Sequence, residues 1–130
     1  MIKAIWQHPV WRKSLIAAFY ASLGLFTVLF LMPTEFLPDE SIFSWWDKAQ
    51  HALVFAVLAL LGLLAYPTRI HLIFWGLLIY GAVIEVLQSL SGWRQGDVYD
   101  WYADTMGVVL VCICALAIKI LFLSRRTLKP

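Results

Sequence analysis

Charge is what this 130-residue sequence has least of: Asp, Glu, Lys and Arg make up 14% of it, against 62% hydrophobic residues. An ordinary soluble domain carries about 25% charged residues, so this chain cannot cover a water-facing surface, and it is too short for more than one compact unit. The net charge of +2 comes without a basic patch interleaved with aromatics, which excludes a nucleic-acid surface. Cysteine is nearly absent. Cys112 and Cys114 stand two apart, which on a helix sends them to almost opposite faces and excludes a mutual disulfide; both read as small packing residues. No Gly-x-Ser-x-Gly, no His-Glu-x-x-His and no phosphate-binding glycine loop occurs, so no recognised nucleophile, zinc-protease or nucleotide motif is present. Low-complexity stretches and domain linkers are also missing.

Apolar runs are present in abundance. A span needs about 20 mostly apolar residues to cross roughly 30 Å of hydrocarbon. Four stretches qualify: Ser14 to Met32, Asp47 to Tyr66, Leu72 to Leu90 and Asp104 to Leu123. The first is too long for a secretory signal, and Pro33-Thr34-Glu35 offers no small-residue cleavage site, so it reads as a retained helix. The expected fold is therefore all-α, a four-helix transmembrane bundle forming a single domain over residues 1–130.

Basic residues in short flanks set orientation. Lys3, Arg12 and Lys13 precede the first span, Arg69 lies between the second and third, and Arg125, Arg126 and Lys129 follow the fourth; the other side has only Lys48 and Arg94. Both termini are expected to be cytoplasmic, with the connections 33–46 and 91–103 facing outward. The tryptophans agree, with Trp45, Trp46, Trp93 and Trp101 near the outer boundary and Trp6, Trp11 and Trp75 near the inner one. Ser44-x-x-Asp47 and Asp97-x-x-Asp100 both have the form of a capping box at an outward helix start.

The scarce charges crowd together. Residues three or four apart share a helix face, so Asp47, His51 and Phe55 form one stripe, Glu85 and Gln88 a second, and Asp100, Asp104 and Gly107 a third. By helical rise, Glu85 lies about 8 Å below the outer end of its span, and His51 and Asp104 about 10 Å below the capping-box helix starts at Ser44 and Asp97. The stripes therefore reach one level, with Gly81 and Gly107 allowing close helix approach. Ionisable groups at membrane depth are costly and face a bundle interior or cavity, which makes this level the expected site.

Asp47-Lys48-x-x-His51-x-x-x-Phe55, Glu85-x-x-Gln88, Arg94 and Asp100-x-x-x-Asp104-x-x-Gly107 occur in order, and over about residues 44–110 this pattern resembles the VanZ-like family, whose founding member is associated with low-level teicoplanin resistance in bacteria. The resemblance implies a multi-pass protein of the bacterial plasma (inner) membrane and a role in the cell envelope. It implies no reaction. Asp104 stands where many members carry Asn, which adds a charge.

Three readings of the constellation stay open. In the leading one, an outward-facing pocket of Asp47, Lys48, His51, Glu85, Gln88, Arg94, Asp100 and Asp104 binds a polar head group, of a lipid-linked envelope precursor or a glycopeptide; Lys48 and Arg94 engage an anionic group, and Trp93 and Trp101 flank it. In the second, a small intramembrane enzyme uses His51 as a base oriented by Asp47, with Glu85 or Asp104 as the acid. In the third, the bundle is purely structural or stabilised by an oxygen-preferring divalent cation on His51, Glu85 and Asp104. Asp47, Glu85, Asp97, Asp100 and Asp104 exceed Lys48 and Arg94 by three formal charges. A partly desolvated site does not hold such an excess, so protonated carboxyls, a protonated His51 or a bound cation must offset it. Transport by only four spans would require an oligomer, whose size the sequence leaves open.

The charge asymmetry makes a topological prediction. A reporter active only outside the cytoplasm should work when fused near Asp39 or Gln95 and stay silent at Arg69 or the C-terminus. The opposite pattern would reverse the orientation.

Overall fold

The computed structural model describes residues 9–36 and 44–127. Lys3, Trp6, Lys129 and the middle of the outward connection 33–46 lie outside the described residues, as do the side chains of Ser44, Trp45, Trp46, Arg125 and Arg126, so the Ser44 capping box and the Trp45/Trp46 belt are not among the features seen. Among the described residues the chain forms α1 (Pro9–Leu31), a 3-10 turn (Thr34–Phe36), α2 (Ser44–Ala65), α3 (Ile70–Ser91) and α4 (Val98–Thr127).

All four helices are long and apolar enough to cross a membrane, over Val10–Leu31, Asp47–Ala65, Ile70–Ser91 and Val98–Phe122. Only 11% to 33% of each stretch is buried within the bundle, so most of the Leu, Ile, Val and aromatic side chains face outward. A surface of that kind needs hydrocarbon as its solvent. The helices start ahead of the apolar runs read from the sequence, most clearly at α1 and α4. Pro9 at the first helical position carries α1 back past Ser14, consistent with proline's preference for that place. α4 begins at Val98 rather than Asp104, because Asp97 accepts the Tyr99 N–H on Oδ1 at 2.8 Å and initiates the helix there.

The turn between α2 and α3 is short. Tyr66 N–H donates to Gly62 O and Arg69 N–H to Tyr66 O, reversing the chain between α2 and α3. α2 packs most extensively on α4, while α1 lies against α2 and α3. The core is a stripe at helical spacing: Phe55, Leu58 and Ala59 on α2, Ile73, Leu77 and Ile84 on α3, Val108 and Cys112 on α4, closed by Phe19 and Phe30 of α1. Cys112 is buried and Cys114 exposed, as opposite faces require.

Gly107 is what lets α2 and α4 meet. A Cβ at this position would run into the Ala52 carbonyl and the Ala56 nitrogen, which are backbone atoms and cannot swing aside. At Gly24 a Cβ would meet nothing within 4 Å. Gly107→Ala should therefore cost about 1–3 kcal/mol, the usual range for overpacking, whereas Gly24→Ala should be neutral or slightly stabilising through helix propensity. Thermal unfolding in detergent checks the pair, and equal behaviour of the two variants would show that the α2–α4 contact is not tight.

Candidate functional site

The buried polar or charged residues among those described are His51, Glu85, Gln88, Asp100 and Asp104, from three different helices. They converge in the half of the bundle next to the α3–α4 connection, close to the Gly107 contact. His51 Nδ1 and Asp104 Oδ1 are 2.9 Å apart, and each side chain is 1% exposed. Sequence spacing suggested Asp47 as the partner that orients His51; Asp104 takes that place because the α2–α4 approach brings it opposite the ring. Phe30 stacks on the other face of His51, with ring centroids 4.5 Å apart.

Glu85 reaches across to the start of α4, where its Oε2 accepts the Asp97 N–H at 2.7 Å. That is the backbone donor a capping box would satisfy from within α4, and Glu85 supplies the acceptor from α3 instead. The chain can come so close only because Gly96 has no side chain, since a Cβ there would collide with Glu85 O and Ser89 Oγ. Gln88 does similar work at the end of α1. Its Nε2 donates to Phe30 O at 3.0 Å, and Trp93 Nε1 donates to Leu31 O at 3.1 Å, satisfying carbonyls that α1 leaves without helical partners. Trp101 Nε1 donates to Leu78 O at 3.0 Å. The indole N–H groups of Trp93 and Trp101 thus tie helices together.

Acid Asp100, released from the capping box, belongs to an ion network. Lys48 Nζ lies 2.8 Å from Asp100 Oδ1 and 3.1 Å from Asp97 Oδ2, with Lys48 and Asp97 half-exposed and Asp100 nearly covered. The Tyr99 N–H, and then Lys48, hold the Asp97 carboxyl below the usual carboxylate range. Arg94 is half-buried on the α3–α4 connection, where its N–H donates to Ser91 Oγ at 3.2 Å.

Below this network several buried polar atoms have no hydrogen-bond partner among the described residues: His51 Nε2, Glu85 Oε1, Gln88 Oε1, Asp104 Oδ2 and Thr105 Oγ1. His51, Glu85 and Asp104 each bring one potential metal-ligand atom within 4.8 Å of the other two. Asp47, His51 and Asp100 form a second such group sharing the same histidine. Its Asp100 already has Lys48 as a countercharge, so the first group has the greater need of a cation.

Some participants were not foreseen from the sequence. Phe30 contributes a ring to His51 and a carbonyl to Gln88, and Tyr80 donates to Leu23 O at 3.2 Å while sharing a hydrogen bond with Thr27 Oγ1 at 2.9 Å. Nothing in local spacing announces them, since each partner lies on a distant helix. Comparison of the chain with protein-family models, with curated proteins and with solved structures finds no match in any of the three.

Lys48 bridges two acids here. Lys48→Met should cost about 1–3 kcal/mol, between an exposed and a buried pair, and Asp100→Asn in the same chain should recover part of that loss. Because Asp97 titrates below the usual range, its share is present at neutral pH and lost only as the pH falls through that lowered value, so wild type and Lys48→Met should converge on acidification. Additive single losses in a thermal-unfolding cycle would show that the pairs are not coupled.

Proposed function

We propose that this protein is a membrane-embedded cation-binding protein, holding one divalent first-row ion between His51, Glu85 and Asp104 in the outer half of the bundle. The observation that carries this reading is the convergence of unpartnered, buried ligand atoms from three helices. An unsatisfied buried polar group costs about 1–3 kcal/mol, and one cation answers several at once. The donor set also fits. Mixed imidazole and carboxylate ligands suit Mn²⁺ or Zn²⁺ better than Ca²⁺. Two carboxylates and a neutral imidazole balance a divalent charge. When bound, such an ion supplies Lewis acidity, and this chain's part is to exclude water and fix the ligands.

The head-group reading is disfavoured at this level. His51, Gln88 and Asp104 are each 1% exposed and Phe30 covers the imidazole, so a lipid or glycopeptide group reaches them only if α1 moves aside. Its support lies higher, at the half-exposed Lys48 and Asp97. The acid–base reading meets the same barrier, although His51 is oriented as a base would be. The basic-residue asymmetry supports cytoplasmic termini and an outward cation site, and the motif resemblance to the VanZ-like family supports a bacterial envelope setting.

Protein purified into lipid nanodiscs and equilibrated with Mn²⁺ or Zn²⁺ should retain close to one ion per chain by elemental analysis. At a hundredfold excess over Kd the ion should stabilise the fold by about 2.7 kcal/mol. His51→Ala and Glu85→Gln should lose the ion while Tyr80→Phe keeps it. Wild-type protein that retains no metal and gains no stability from Mn²⁺, Zn²⁺ or Mg²⁺ would refute the reading and leave a polar network that serves packing alone.

A further inference from the structure

The opposite end of the bundle carries a different feature, a groove of about 380 Å³ between α1 and α3. Its mouth is formed by Tyr20, Tyr66 and Arg69, next to the short α2–α3 turn. Apolar side chains such as Leu23 and Leu77 wall it, and Tyr80 closes the far end, fixed there by its hydrogen bonds to Thr27 and Leu23 O. From Arg69 to Tyr80 the helical rise amounts to roughly 16 Å, about half of a 30 Å hydrocarbon layer. The groove therefore runs from one membrane boundary to the bilayer midplane, the depth of one leaflet. Gly76 lies along it without a side chain, and a Cβ there would meet nothing within 4 Å.

The mouth is cationic. Arg69 lines it, Arg12 stands near enough for the charges of both guanidinium groups to act on the Tyr66 hydroxyl, and no acid is among the lining residues. Tyr66 OH and Tyr20 OH are 3.5 Å apart, a weak mutual bond that leaves both hydroxyls free to turn toward a stronger acceptor. Fork-shaped guanidinium donors match phosphate oxygens, and basic sites between helices at a membrane boundary recognise anionic head groups. An acyl chain fits the apolar length, and a phosphodiester fits the mouth.

We propose that this groove is a binding site for one anionic phospholipid, its phosphate held by Arg12 and Arg69 with the tyrosine hydroxyls, and one acyl chain lying along Gly76 toward Tyr80. The site is independent of the cation centre and of the chain's orientation. It lies in the leaflet that contains the α2–α3 turn.

The test uses the full chain in detergent with phosphatidylglycerol and phosphatidylcholine of matched chains, read by native mass spectrometry. Wild type should keep one phosphatidylglycerol at least tenfold more tightly than phosphatidylcholine. Arg12→Gln with Arg69→Gln should erase that preference while leaving weak binding of both. Gly76→Leu should fill the groove and abolish both, and because leucine favours helix over glycine it should not lower lipid-free thermal stability. Equal retention of the two lipids by wild type would overturn the charge recognition. Undiminished phosphatidylglycerol binding by a folded Gly76→Leu would overturn the placement of the chain, and a lipid-free dimer sealed across Tyr66 would show that a second copy, not a lipid, occupies the groove.

Discussion

The backbone contact of α2 and α4 at Gly107 sets the distances on which the polar centre depends. Gly107 sits one turn from Asp104, and Ala52, whose carbonyl it meets, is next to His51. Closing that gap is what brings the His51 ring within 2.9 Å of the Asp104 carboxylate. Were the helices kept apart by a side chain, the imidazole and the carboxylate would each be stranded in a medium that supplies no alternative partner. Burial costs of several kcal/mol for an uncompensated ion would then fall on a bundle with little apolar driving force of its own. The steric contact and the polar contact therefore stand or fall together.

Hydrocarbon solvent imposes a second demand, that every helix end be satisfied from within. The polar side chains answer it before they answer anything else. Gln88 and Trp93 complete the end of α1, and Glu85 completes the beginning of α4. Each of these groups has more hydrogen-bonding capacity than its structural task consumes. Glu85 spends Oε2 and leaves Oε1; Gln88 spends its amide nitrogen and leaves its oxygen; Asp104 spends Oδ1 and leaves Oδ2. The remainder is what gives the centre a chemistry, and three of its members, His51, Glu85 and Asp104, bring ligand atoms within 4.8 Å of one another. Structural and chemical roles are thus divided between the two ends of single side chains.

Much of this could be read from the sequence, for an identifiable reason. Four helices followed from the lengths of apolar runs, since hydrocarbon thickness is a ruler. The level shared by His51, Glu85 and Asp104 followed from helical rise, and the close approach at Gly107 from the absence of a side chain. Partner choice did not follow. Asp47 and Asp104 are equally plausible companions for His51 along the chain, and only the packing of α2 on α4 selects the latter. Asp100 looked like the acid of a capping box, yet Glu85 serves Asp97 from another helix and frees Asp100 for Lys48. Local rules identified the donors and acceptors; tertiary contacts reassigned which meets which.

The reassignment also reshapes the charge problem. Taken together, the acids near the site exceed its bases, and sequence offers no way to say where the excess sits. The structure partitions it. Asp97 and Asp100 gather around one half-exposed Lys48, near enough to the boundary for water to screen what the lysine leaves over. Glu85 and Asp104 are buried beside His51, a group whose proton, if it carries one, can offset a single carboxylate. A proton added to neutral His51 leaves neither ring nitrogen bare, so it competes directly with a metal ion for the imidazole. The two ways of neutralising the centre are therefore mutually exclusive on His51: an ion requires the bare nitrogen that protonation removes. In the proposed cation centre, exchange of cation for protons would turn on one imidazole, held in place by the helix contact beside it.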